Sequence, residues 1–99
     1  MIKHIVLFKL QDSISEVECT SVFNAFKTAI EALPATIDFI RKVEVGHNTN
    51  PNEQFDIALY SEFDSLEDVK RYAVHPNHVA AAKLLAGKVA TRACTDYEF

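Results

Sequence analysis

The chain has 99 residues, 48% of them hydrophobic and 24% charged, with a formal net charge of −4. That length supports one hydrophobic core and not two, so residues 1–99 are read as a single domain. Nucleic acid and anionic membranes both require clustered Lys and Arg, and here the only adjacent basic residues are Arg41-Lys42 and Lys70-Arg71, which argues against either as a partner.

Ile2–Leu10 reads as a strand, with His4, Val6, Phe8 and Leu10 on one face and Lys3, Ile5, Leu7 and Lys9 on the other. Apolar residues occupy both faces, so both are expected to be covered, the second by another subunit. Ser15 and Glu18 fit the S-x-x-E capping box, in which each residue satisfies a free amide at a helix start. Cys19, Val22, Phe23, Phe26, Ile30 and Leu33 then form an apolar stripe, and Pro34 ends that helix. Thr36–Val45 is expected to be a second strand, because Ile37, Phe39, Val43 and Val45 alternate with Asp38, Lys42 and Glu44. Gly46 to Asn52 is a turn-rich connection.

Phe55, Ile57, Leu59, Ser61 and Phe63 share one face of a third strand. Asp64 and Ser65 offer an N-cap, after which Leu66, Val69, Tyr72 and Ala73 recur at helical spacing. Pro76 has no amide to donate, so this helix should stop near His75 and a new one begin with Pro76 in its first turn. His78 then falls in that first turn, close to Tyr72 at the end of the preceding helix. Val79–Leu85 continues the helix, Gly87 stops it, and Val89–Phe99 is the final strand. Arg92, Cys94, Asp96 and Glu98 share one face of it, and Ala93, Thr95, Tyr97 and Phe99 the other.

Strand, helix, strand, strand, helix, strand is the order of a ferredoxin-like α+β sandwich, a split βαβ fold with an antiparallel four-stranded sheet and helices on one face. The other face would leave Ile5, Leu7, Ala58, Tyr60, Tyr97 and Phe99 in water, which predicts a homodimer joined through the sheets. No apolar run approaches the ~20 residues of a membrane span and no signal-peptide pattern precedes Ile2, so the cytoplasm is the expected location. Cys19 and Cys94 have neither metal spacing nor a disulfide framework and are expected to be reduced.

Lys3-His4-Ile5-Val6, then Tyr72 with His75-Pro76-Asn77-His78-Val79, and finally Asp96-Tyr97, together resemble the stress-responsive A/B barrel (Dabb) family over essentially the whole chain. The resemblance implies a dimeric α+β barrel in which two ferredoxin-like subunits pack sheet to sheet, with a cavity between sheet and helices in each. One branch of that family is a plant polyketide cyclase. By resemblance to it, His78 would be a general base assisted by Tyr72, with His4 lining the pocket. The lining departs from that branch at Ala80-Ala81-Ala82-Lys83, Val89 and Arg92.

The residues themselves suit such chemistry. His4, Val6 and Phe8 face one way from the first strand, and Leu59 and Ser61 from the third complete a half-apolar pocket, with Phe23, Phe26 and Phe39 as core or cavity lining, core being favoured. A neutral His78 can take a proton, Tyr72 can donate a hydrogen bond to a carbonyl or enolate oxygen, and Asp96 can fix a histidine tautomer. That combination fits proton abstraction next to a carbonyl without a cofactor, as in cyclisation, isomerisation or a lyase step. The competing reading makes His78 a cap of the helix turn and anchors the Tyr72 hydroxyl to the chain near Pro76, leaving a non-enzymatic ligand-binding or stress-response dimer. A metal at His75 and His78, with His47 or a carboxylate, is disfavoured because Pro76 breaks the helix between them. Cys94 lies mid-strand without an evident base. Glu62, Asp64, Glu67 and Asp68 read as a solvated helix start.

Overall fold

A computed structural model describes residues 1–99. Four strands, β1 (Ile2–Leu10), β2 (Lys42–His47), β3 (Ile57–Phe63) and β4 (Val89–Glu98), form one sheet in the order β2-β3-β1-β4, every neighbouring pair antiparallel. The helices α1 (Glu16–Glu31), α2 (Leu66–Val74) and α3 (Pro76–Ala82) connect them. This is the ferredoxin-like α+β sandwich. No helix is long and apolar enough to cross a membrane.

Strand alternation decides which residues meet the helices. Ile2, His4, Val6 and Leu10 of β1 and Ile57, Leu59, Ser61 and Phe63 of β3 are buried on that face. From α1, Val22, Phe26 and Ile30 pack down on them at i, i+4, i+8. The opposite face carries Ile5, Leu7 and Tyr60 half-buried, with Tyr97 and Phe99 exposed. There the Tyr60 hydroxyl donates to the Glu62 carboxylate, an interaction that pushes the phenol up to about 12.

Three local expectations are corrected. Thr36–Val45 is not one strand: Leu33–Ala35 is a 3-10 turn, and β2 starts only at Lys42 and runs on through Gly46 and His47. The carbonyl of Leu33 accepts the amides of both Thr36 and Ile37, and Ile37 accepts that of Ile40. Ile37 and Ile40 are therefore buried by an i, i+3 turn and not by a pleat. At the start of α1, only half of the capping box forms. The Ser15 hydroxyl accepts the Glu18 amide at 3.2 Å, whereas the Glu18 carboxylate accepts from Lys88 at 3.4 Å. At the start of α2, Ser65 alone is the cap, and Asp64 pairs with Arg41 at 2.6 Å.

The β2 edge is closed by α1. Lys27 donates to the Val45 carbonyl at 2.8 Å and Glu31 accepts the Val45 amide at 3.0 Å, so a helical i, i+4 pair occupies both polar groups that Val45, mid-strand, would otherwise offer a neighbour. The hydrogen bond from Lys27, followed by that from Val45, holds the Glu31 carboxyl below its ordinary value.

Candidate functional site

The break between α2 and α3 opens a hollow above the sheet. Val74 is the last residue of α2, and His75 has an extended backbone that serves as both C-cap of α2 and N-cap of α3. The His75 Nδ1 accepts the Asn77 amide at 3.1 Å, a cap usually supplied by Ser, Thr, Asp or Asn. Pro76 is the first residue of α3, where its missing amide has no helical partner to lose. His78 is thereby fixed one turn from the end of α2, its ring centroid 4.2 Å from that of Tyr72.

Between these helices and the sheet lies a cavity of about 330 Å³, at the lower end of the range typical of small-molecule sites. Its floor is His4, Val6 and Phe8 of β1 with Leu59 of β3. Tyr72, Ala73, His78 and Ala82 form the roof, and Phe26 closes one side. Leu85 and Ala86, with Val89 and Arg92 of β4, complete the wall. A hollow of similar size at the other end of the sheet, beside Leu7, His47 and Phe55, has no buried polar side chain left unpaired.

Tyr72 is 1% exposed, and its hydroxyl is the one buried side-chain polar atom in the protein without a hydrogen-bond partner. Leaving a hydroxyl so costs ~1–3 kcal/mol, which requires an explanation in a chain that pairs its other buried polar side chains. Burial raises the phenol's pKa, so Tyr72 remains a neutral donor. The proposed anchor near Pro76 does not exist.

His78 Nδ1 lies 3.1 Å from the Ala73 carbonyl. A carbonyl can only accept, so Nδ1 carries the proton and Nε2 of the neutral ring keeps its lone pair. Burial lowers the pKa of His78, an effect partly opposed by that hydrogen bond and aided by the charges of His4, Arg92 and His75. The neutral, proton-accepting form is favoured.

His4 is 8% exposed and pairs across the strands with Ser61 on one side and Asp96 on the other. Its Nδ1 is 2.5 Å from Asp96 Oδ1, so the carboxylate sets the tautomer and ring orientation from behind the cavity wall. The Cys94 Sγ is 3.8 Å from the same nitrogen.

Of the residues picked from sequence, His4, Val6, Phe8, Leu59, Tyr72 and His78 line one cavity, and Asp96 supports His4. Ser61 does not line it: fully buried, it donates to the His4 carbonyl at 3.3 Å. Nor does Phe23, whose ring stacks on His47 with centroids 4.7 Å apart. His47 is thus remote from His75 and His78, whose Nδ1 atoms are both engaged by backbone. Phe26, read as core or cavity lining, and Val89 and Arg92, positions of the lining by resemblance, do line the cavity; Leu85, in the 3-10 turn after α3, was missed by sequence reasoning.

Residues 2–99 match the Stress responsive A/B Barrel Domain (Dabb) family. An uncharacterised protein of Streptomyces coelicolor is 36% identical over 100 residues, covering the full length of both chains. The crystal structure of a dimeric protein of unknown function with a ferredoxin-like fold, from Bacteroides fragilis, is 63% identical, covers 99% of this chain and 95% of that one, and superposes with a TM-score of 0.97. Olivetolic acid cyclase of Cannabis sativa is 27% identical over 78 residues, 79% of this chain and 76% of the cyclase.

Proposed function

The chain belongs to the stress-responsive A/B barrel domain family, and from that starting point we propose that its cavity takes a small, mostly apolar, carbonyl-bearing metabolite and removes a proton next to the carbonyl. The observation that carries this reading is the Tyr72 hydroxyl, buried without a partner beside the ring of His78. A ligand carbonyl supplies the acceptor that the protein withholds. His78 Nε2 takes the proton from the adjacent carbon, and Tyr72 stabilises the oxygen on which negative charge develops. The enolate then attacks a second carbonyl of the same molecule, as in an aldol cyclisation, the new alkoxide taking the proton back from His78, or is itself reprotonated by His78 at carbon, as in an isomerisation. No cofactor is required, because proton and electron pair both remain within ligand and imidazole. Olivetolic acid cyclase, a relative that covers most of this chain, is consistent with ring-closing carbonyl chemistry on this scaffold.

The subunit works as a homodimer in this proposal, joined through the sheet face that carries Ile5, Leu7, Tyr60 and Tyr97. The dimeric relative at 63% identity supports that arrangement. A second reading, a dimer that binds without turnover, draws on the His78–Ala73 hydrogen bond, which gives His78 a structural duty of its own.

Deuterium exchange separates the two. Wild-type protein in D2O with 1-phenylbutan-1-one or 2-nonanone should accelerate loss of the α-proton signals in NMR, and Tyr72→Phe and His78→Asn should not. Wild-type exchange at the buffer rate across a panel of such ketones would favour binding alone.

A further inference from the structure

We propose that Arg92 forms an anion-binding subsite at one end of the cavity, so that the ligand carries a carboxylate as well as the carbonyl held by Tyr72. The inference rests on the reading of the cavity given above and narrows its substrate class to apolar oxo acids.

Three features of the structure lead there. Arg92 is the only charged residue among those lining the cavity, whose other polar members are His4, Tyr72 and His78. It faces inward because it pairs in register with Phe8 on the floor strand, two residues along the same face from Cys94 and four from Asp96. It also has no carboxylate of its own. Arg41 is paired with Asp64 at 2.6 Å and Arg71 with Asp68 at 2.9 Å, but no acidic side chain lies within ion-pair distance of Arg92, in a chain with 14 Asp and Glu. The acidic residue on the same face of β4, Asp96, is engaged by His4 at 2.5 Å.

An unpaired guanidinium at the edge of an apolar hollow is suited to a carboxylate, which it can grip through two parallel hydrogen bonds. Arg92 itself is exposed, so it meets the acid at the mouth of the hollow, where the two-pronged geometry more than exclusion of water favours the pairing. Tyr72 and Arg92 then read the two ends of one ligand: a neutral donor for the carbonyl, a cation for the acid. Lining residues between them, Val6, Phe8 and Leu59, accept the apolar body. The spacing also orients the molecule, because the carboxylate fixes which carbon beside the carbonyl faces His78.

The test is calorimetric titration with two stable oxo acids, 4-oxo-4-phenylbutanoate and 4-oxodecanoate, and with their primary amides, which keep size and carbonyl but lose the charge. Wild-type protein should bind each acid at least tenfold more tightly than its amide. Arg92→Gln should bring acid and amide within threefold of each other, and Arg92→Lys should restore part of the preference. Equal binding of acid and amide by the wild type would overturn the subsite and leave the carbonyl reading standing. A preference that survives Arg92→Gln would likewise remove Arg92 from recognition. Binding of neither form by the wild type would overturn both.

Discussion

At the scale of single residues, the site depends on two rings kept neutral by burial. Alternation along β1 and β3 made His4, Phe8 and Leu59 legible as one face, and the Pro76 break made the approach of Tyr72 and His78 legible. The missing partner of the Tyr72 hydroxyl was not, because it depends on which acceptors fall outside reach in three dimensions. His78→Asn separates chemistry from architecture: the Asn amide can replace Nδ1–H toward the Ala73 carbonyl, but nothing replaces Nε2. Stability of that variant should stay within about 1 kcal/mol of wild type in urea unfolding, while ketone exchange falls by roughly a hundredfold or more. Burial also sets a pH signature. His78 in the folded protein titrates below its ordinary value of 6.5, so as pH falls through that value the unfolded chain takes up a proton that the folded one refuses. Stability is full above that pH and is lost on acidification toward the folded-state value. The slope should be absent in His78→Asn, with acid loss beginning lower, where the Glu31 carboxylate titrates.

At the scale of elements, legibility followed the strength of the local signal. The strands β1 and β3 and the helices came from unambiguous period and caps. The segment after Pro34 did not. Ile37, Phe39, Val43 and Val45 fit a two-residue period, but Ile37 and Ile40 equally fit a three-residue turn, and the Leu33 carbonyl resolves the tie by accepting two amides. His75 escaped notice as a cap because imidazole seldom serves as one, although its Nδ1 meets the Asn77 amide. The α2–α3 break is thus held by short-range bonds on both sides, with Ser65 fixing where α2 starts and Gly87 leaving the last turn at φ 72°, a conformation open to glycine. Ser65→Ala removes the acceptor for the Asp68 amide and should cost about 1 kcal/mol in chemical denaturation.

At the scale of the whole molecule, one face of the sheet builds the cavity and the other carries the apolar surface through which the homodimer is proposed to form. Ile5 and Leu7 lie on the central strand of that face, flanked in register by Tyr60 and Ala58 from β3 and Thr95 and Ala93 from β4. A charge placed at its centre has no route to water in a dimer. Leu7→Asp should therefore sediment as a monomer at concentrations where wild type is dimeric, with its far-UV circular dichroism unchanged. A wild-type protein that sediments as a monomer would remove the dimer and leave the cavity, which lies on the opposite face, intact.

The cavity's purpose is what the account stands on, and unfolding of Tyr72→Phe measured with and without a bound ketone addresses it directly. If the hydroxyl is held unpaired for a ligand oxygen, removing it should raise the free energy of unfolding of the empty protein by about 1 kcal/mol and weaken ketone binding at least tenfold. A Tyr72→Phe protein that is less stable than wild type and binds ketone equally well would contradict it.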